Sequence, residues 1–182
     1  MDKHYIDANE LLEDSFRLAV KIFLSGYRPD LIIGIWRGGT PVAMAVHEYY
    51  DFKGIITDHV AIRAASYTGI NERKKEVRVT GLEYVFDNTG PDTNMLIVDD
   101  VFDSGNSFRS VLAILQARYG NGINERVRIA CPWYKPRNNQ TNLAPDFYLH
   151  ETDSWLVFPH ELSGLTVDEI RQGKPAISRI II

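Results

Sequence analysis

Two rhythms of apolar and polar residues alternate along this chain. From Asn9 to Leu24, Leu11, Leu12, Phe16, Ala19, Val20 and Phe23 recur at helical spacing, with Glu10, Glu13, Asp14 and Arg17 between them. This pattern predicts an amphipathic helix with Asn9 as its N-cap, ended by Gly26 and Pro29. Leu31–Ile35 is a short apolar run without polar alternation, as in a parallel strand covered on both faces. Ile55–Ile62, Met95–Val98, Val127–Trp133 and Phe147–Leu149 read as further strands, and Val77–Val85 as a returning one. Helices are predicted over Val42–Tyr50, Phe108–Tyr119 and Leu165–Arg171, the last with Thr166 and Glu169 spaced as a capping box. The apolar tail, Ala176–Ile182, reads either as an added strand or as a segment that seals an interface.

Strands alternating with helices predict an α/β fold: a mostly parallel central sheet flanked by helices. In such sheets ligands bind beyond the carboxyl ends of the strands. Trp36–Thr40, Asp99–Ser107 and Lys135 therefore belong to one edge.

At 182 residues and 45% hydrophobic, the chain suffices for one good core. A single domain over 1–182 is expected. The formal charge of -4 gives no general attraction to nucleic acid or to an anionic membrane, because counterion release needs clustered Lys and Arg. No apolar run approaches the ~20 residues that span a bilayer, and the acidic start, MDKHYIDANELLED, is unlike a secretory signal. A cytoplasmic protein is expected. Cys131 is the only cysteine, so no intrachain disulfide can form, and a small buried thiol is its plain reading. The histidines show no metal-ligand spacing.

Candidate chemistry centres on Met95–Phe108. An apolar strand leads into Asp99-Asp100, and Ser104, Gly105, Asn106 and Ser107 then offer hydroxyls, an amide and backbone N–H groups at a helix N-terminus. That is a cradle for a terminal phosphate. The loop lacks the lysine of GxxxxGK[ST], which disfavours a P-loop NTPase. Asp99 and Asp100 are suited to vicinal hydroxyls or to Mg²⁺. Upstream, Arg37-Gly38-Gly39 reads in isolation as an ordinary tight turn. Beside a phosphate loop it becomes an anion site, with glycines for close approach and Arg37 for fixed positive charge.

The run Leu96-Ile97-Val98-Asp99-Asp100-Val101-Phe102-Asp103-Ser104-Gly105-Asn106-Ser107 resembles the phosphoribosyl diphosphate (PRPP) signature of the type I phosphoribosyltransferases, with serines where threonines are commoner. The resemblance runs from about Tyr5 to Glu161 and is closest to the 6-oxopurine branch (hypoxanthine and xanthine-guanine enzymes). It implies a core plus a small hood subdomain, contributed mainly by about 135–182 and by the N-terminus. It also implies a purine-salvage transferase that uses Mg²⁺, with PRPP and a purine base as its partners. A homo-oligomer, dimer or tetramer, is expected.

Position by position, the resemblance gives the 5′-phosphate to Asp103, Ser104, Gly105, Asn106 and Ser107, and the ribose hydroxyls to Asp99 and Asp100. The diphosphate falls to Arg37, Gly38 and Gly39, where the family often has a non-proline cis peptide before the arginine. Ser66 and Tyr67 with the charged run Arg73, Lys74 and Lys75 resemble the flexible lid; alone, that run reads as a solvated loop. Lys135 would donate to the purine 6-oxo group, Trp155 would stack on the ring, and the Leu156 backbone would meet the 2-position. Glu161 would lie near a second metal or the 2-substituent, with Asp100 as the other metal ligand. Asp103 and Arg37 would be catalytic, Asp103 as proton acceptor. The alternative is a PRPP-sensing regulator of the same fold that binds nucleic acid without catalysis.

Overall fold

The computed structural model describes residues 3–67 and 76–182. In chain order its elements are β1 (Lys3–Tyr5), α1 (Ala8–Leu24), β2 (Leu31–Trp36), α2 (Gly39–Phe52), β3 (Asp58–Tyr67), β4 (Glu76–Thr80), α3 (Glu83–Asn88), β5 (Met95–Val98) and β6 (Val101–Phe102). There follow α4 (Asn106–Tyr119), β7 (Val127–Ala130), β8 (Trp133–Tyr134), β9 (His150–Glu151), β10 (Trp155–Val157), α5 (Val167–Gly173) and α6 (Pro175–Ile181), with 3₁₀ turns at Asn121–Glu125 and Pro136–Asn138. They group into two compact units, Leu12–Asp153 and Met1–Leu11 with Ser154–Ile182. Residues 135–153 of the expected hood fall in the first unit.

In the first unit five strands form one sheet in the order β4-β3-β2-β5-β7, with only β4 antiparallel. This is the expected α/β architecture. Alternate residues of its strands (Leu31, Ile33, Ile35; Met95, Ile97; Val127, Ile129) build one buried face together with Phe108, Val111 and Leu115 of α4. Side chains of a strand point alternately to opposite faces, so Ile32, Leu96 and Val98 fill the other side, and all three are buried. Gly34 keeps that second layer thin: a Cβ there would lie 3.0 Å from the Cβ of Ala43, so α2 starts close against β2. The main-chain N–H of Asp30 donates to the Asn94 carbonyl and its carboxylate accepts from the Asn94 N–H at 2.8 Å, which aligns β2 with β5.

Several elements depart from the sequence pattern. The cap of α1 is Asp7, whose carboxylate accepts from the N–H groups of Asn9 and Glu10 at 2.7 and 2.9 Å. Its buried stripe is Leu11, Ser15, Leu18 and Ile22, while Leu12 and Phe16 are exposed. Polar Asp14 shares that stripe because its carboxylate accepts from Arg17 and pairs with His150, both at 2.7 Å. β3 starts at Asp58 rather than Ile55, since Ile55 N–H still donates to the Tyr50 carbonyl at the end of α2. The stretch expected as strand Val77–Val85 is split by Gly81 at φ +92°, giving β4 and then α3. Val127–Trp133 is likewise two strands, because Pro132 has no N–H to give a ladder. The second piece, β8, joins a separate three-stranded parallel sheet, β6-β8-β9.

In the second unit β1 and β10 pair in parallel, with Lys3 opposite Trp155 and Tyr5 opposite Val157. The capping box is present, with Thr166 accepting from Glu169 N–H and the Glu169 carboxylate accepting from Thr166 N–H at 2.8 Å. The apolar tail is helix α6, not a strand, with Pro175 at its first turn where a missing N–H costs nothing.

Candidate active site

Sheet order decides where chemistry can gather. β2 leads through α2 to β3 on one side, while β5 lies on its other side and leads through α4 to β7. The segments leaving β2 and β5 therefore diverge at neighbouring carboxyl ends, where a crevice opens. They bring Arg37-Gly38-Gly39 against Asp99-Asp100.

The contact is very close. A Cβ on Gly39 would sit 2.4 Å from the Val98 carbonyl oxygen and 2.7 Å from Asp99 Cα, and one on Gly38 would fall 1.8 Å from Asp100 Oδ2. At Gly39 the neighbour is backbone and no side chain fits; at Gly38 it is the Asp100 carboxylate, which would have to move aside. The glycines are needed for backbone approach here, since neither has a positive φ. The Trp36–Arg37 peptide is cis, at the position the resemblance indicates. The Arg37 carbonyl accepts from Thr40 N–H at 3.2 Å and from Thr40 Oγ1 at 2.7 Å, closing the turn, while the Arg37 side chain is exposed.

β5 stops at Val98, so the two aspartates stand on a turn rather than on opposite faces of a strand. Asp100 is buried and Asp99 half-buried, and Asp100 N–H donates to Asp99 Oδ1 at 3.0 Å. Burial, and then the neighbouring Asp100 carboxylate, push the Asp99 carboxyl well above the usual carboxylate range. A bound cation would relieve that repulsion. Among the described residues no group of three or more His, Cys, Asp or Glu surrounds a metal position. A cation at this pair would complete its shell with water and substrate oxygens, as Mg²⁺ usually does.

The loop after β6 is shaped from below by Phe102. This ring is fully buried, stacked on Phe108 at 5.0 Å and edge-on to Tyr134 at 5.4 Å. Gly105, at φ +74°, caps α4 directly over it; a Cβ there would meet the Phe102 ring at 2.8 Å and Thr141 Oγ1 at 2.6 Å. Ser104, Gly105, Asn106 and Ser107 thus stand at the N-terminus of a 14-residue helix, where free N–H groups and the helix dipole favour an anion.

Register brings Asp103 and Lys135 together. β6 and β8 run parallel with Phe102 opposite Tyr134, so the next residue of each strand emerges at the same end. Lys135 N–H donates to the Phe102 carbonyl at 2.9 Å, and Lys135 Nζ lies 3.5 Å from Asp103 Oδ2. Lys135 is 8% exposed, whereas the Asp103 side chain is half open to solvent. Asn138, which the sequence pattern did not single out, donates to Asp103 Oδ1 at 2.9 Å. Gln140 N–H donates to the Ser104 carbonyl at 3.0 Å, and Asn106 Nδ2 donates to Gln140 Oε1 at 3.2 Å. The polar composition of Arg137–Pro145 was the only signal for this second wall. Cys131 lies beneath, fully buried, its thiol pushed up by burial.

Of the other expected site residues, Ser66 and Tyr67 end β3, and Arg73, Lys74 and Lys75 lie outside the described residues. Trp155, Leu156 and Glu161 belong to the second unit. Trp155 is exposed, Leu156 is buried on β10, and the Glu161 carboxylate accepts from Phe158 N–H at 3.1 Å.

Known proteins share this fold and much of its sequence pattern. Residues 4–165 match the model of the phosphoribosyl transferase domain. A xanthine-guanine phosphoribosyltransferase of Roseobacter denitrificans is 27% identical over 175 residues, 92% of this chain and 90% of that protein. A purine phosphoribosyltransferase from Pyrococcus horikoshii superposes with a TM-score of 0.72 at 28% identity, covering 91% of this chain and 98% of its own. A Neisseria gonorrhoeae protein solved with bound ppGpp has a TM-score of 0.73 at 22% identity, covering 96% and 97%, and bears on the fold alone.

Two predictions follow from the glycine contact and the acidic pair. Gly39→Ala should destabilise the protein by about 1–3 kcal/mol in denaturant unfolding, as overpacking does. Gly122→Ala, with open space around it, should be neutral or stabilising by up to about 1 kcal/mol. Because Asp99 is harder to ionise folded than unfolded, it subtracts stability as pH rises above its ordinary value of 3.8. Without divalent cation, Asp99→Asn should therefore unfold at higher denaturant than the parent at pH 8, the gap closing towards pH 4.

Proposed function

Because the chain belongs to the phosphoribosyl transferase domain family, we propose that it transfers phosphoribosyl from PRPP to N9 of a 6-oxopurine, giving the nucleoside 5′-monophosphate and diphosphate. The observation that carries this reading is the pair at the ends of β6 and β8. A half-open carboxylate, Asp103, stands at the mouth of a phosphate-type loop, 3.5 Å from the ammonium of a nearly buried lysine. A carboxylate beside a cationic donor suits a base that presents N7–H and a 6-oxo group together. The names of the Roseobacter and Pyrococcus relatives support a purine as acceptor.

The residues divide the work. Ser104, Gly105, Asn106 and Ser107 hold the 5′-phosphate, and Asp99 and Asp100 accept hydrogen bonds from the ribose hydroxyls. As the C1–diphosphate bond breaks, the ribose becomes oxocarbenium-like and negative charge grows on the leaving group. Arg37 and the backbone of Gly38 and Gly39 stabilise that charge. Mg²⁺, held by Asp100 with substrate oxygens, would neutralise diphosphate when bound. Lys135 donates to the 6-oxo group and Asp103 takes or shares the N7 proton as N9 attacks. We assign recognition of the ring and of the 2-position to Trp155, Leu156 and Glu161.

Initial rates with PRPP and each of hypoxanthine, guanine, xanthine and adenine test this. Turnover is expected with at least one 6-oxopurine, and Asp103→Asn should lower kcat by ~10²–10⁴ while leaving the KM for PRPP nearly unchanged. Activity with adenine alone would sink the assignment of Lys135. Tight PRPP binding without turnover, together with salt-sensitive RNA binding, would support the sensor reading instead.

A further inference from the structure

Lys174 is an unusual residue to bury. It is 8% exposed, and an ammonium taken out of water needs full hydrogen-bond compensation. Here Nζ donates to the Phe158 carbonyl at 2.5 Å and to the Pro159 carbonyl at 3.2 Å. Burial pulls the ammonium below its ordinary range, and the neighbouring Glu161 carboxylate opposes that shift. The lysine thus clamps a turn fifteen residues before it in the chain. The same turn is closed by Glu161 N–H donating to the Phe158 carbonyl and by Phe158 N–H donating to the Glu161 carboxylate.

The origin of this side chain is itself fixed. Lys174 is the joint between α5 and α6: its N–H donates to the Ile170 carbonyl at 2.9 Å, and its carbonyl accepts from Ser178 N–H at 2.9 Å. The preceding Gly173 lies so close to Tyr5 that a Cβ would fall 2.2 Å from the ring. Tyr5 pairs with Val157 on β10, the residue before Phe158. At the other end of that strand Lys3, opposite Trp155, pairs with Glu169 of α5. The segment Trp155–Glu161 is therefore braced at both ends by one helical pair, and a buried amine braces its Glu161 end.

We propose that Lys174 is a positioning residue for purine recognition, setting the Phe158–Glu161 turn and with it the groups offered to the base 2-position. This rests on the assignment of Trp155, Leu156 and Glu161 to the base. The test compares Lys174→Met, which keeps the apolar stem and removes the donors, with Lys174→Arg, which keeps a cation. In the full chain, amide hydrogen exchange at Phe158 and Glu161 should quicken at least tenfold in Lys174→Met and less in Lys174→Arg, if folded-state opening governs it. With the 6-oxopurine that the parent uses, KM for the base should rise about tenfold in Lys174→Met, while kcat and KM for PRPP stay within twofold. Unchanged exchange at those two amides would overturn the clamp whatever the kinetics. Faster exchange with an unchanged base KM would reduce Lys174 to a structural role and overturn the proposal. Absence of turnover by the parent with every 6-oxopurine would instead count against the proposed activity, and the exchange comparison still decides the clamp.

Discussion

Everything at the site depends on how closely two strand ends approach. The backbone after β2 lies on the backbone after β5 with no room for a Cβ at Gly39, and Gly38 leaves space for the Asp100 carboxylate. Two glycines at that point let a positive loop and an acid pair share one crevice. A larger residue at Gly39 would meet the Val98 carbonyl and the Asp99 backbone and push the two segments apart. The closeness has an electrostatic cost. Asp99 and Asp100 are packed together under this loop, and burial beside Asp100 raises the Asp99 carboxyl well above its usual range. A site that is unfavourable alone and satisfied by a charged ligand is a common arrangement where binding, rather than folding, is the purpose.

A second constraint is the small sheet β6-β8-β9. It is only two residues deep in each strand, yet its register fixes which residues leave its end together. With Phe102 opposite Tyr134, the next positions are Asp103 and Lys135. Sliding one of these strands by a residue would turn its faces over and part the pair. The ring stack of Phe102 on Phe108 ties this register to the start of α4. The loop at the start of α4 and Lys135 are thereby set from one buried aromatic, and Asn138 and Gln140 close the arrangement from the far side.

The second unit follows the same logic with different means. Its strand pair is three residues long, too small to hold a shape by its own ladder. Helical joints and buried donors supply the definition instead, through Lys3 with Glu169, Tyr5 against Gly173, and Lys174 on the Phe158–Glu161 turn. Lys174 is accordingly buried beside the apolar Leu156, Val157, Phe158 and Ile170 of the same unit.

How much of this was legible in the sequence varies with the range of the interaction. Local signals carried far. The unbroken apolar runs at Leu31–Ile35 and Met95–Val98 gave buried parallel strands, Thr166 and Glu169 gave a capping box, and Asp99–Ser107 displayed the whole anion loop, because caps, turns and strand burial depend on neighbours within a few positions. The α/β class and the family followed from them. Tertiary structure alone decided the rest. Gly81 and Pro132 divided runs that apolar content made continuous, since a backbone angle and a missing N–H outweigh side-chain hydrophobicity. Asp14 could occupy the buried stripe of α1 only because His150, far along the chain, meets it. Asp103 with Lys135, Asn138 with Asp103, and Lys174 with Phe158 are pairs fixed by strand register and helix joints, and no spacing along a chain encodes them. The sequence by itself determined which chemical groups are present and which local turns present them; folding determined which of those groups are within a hydrogen bond of one another.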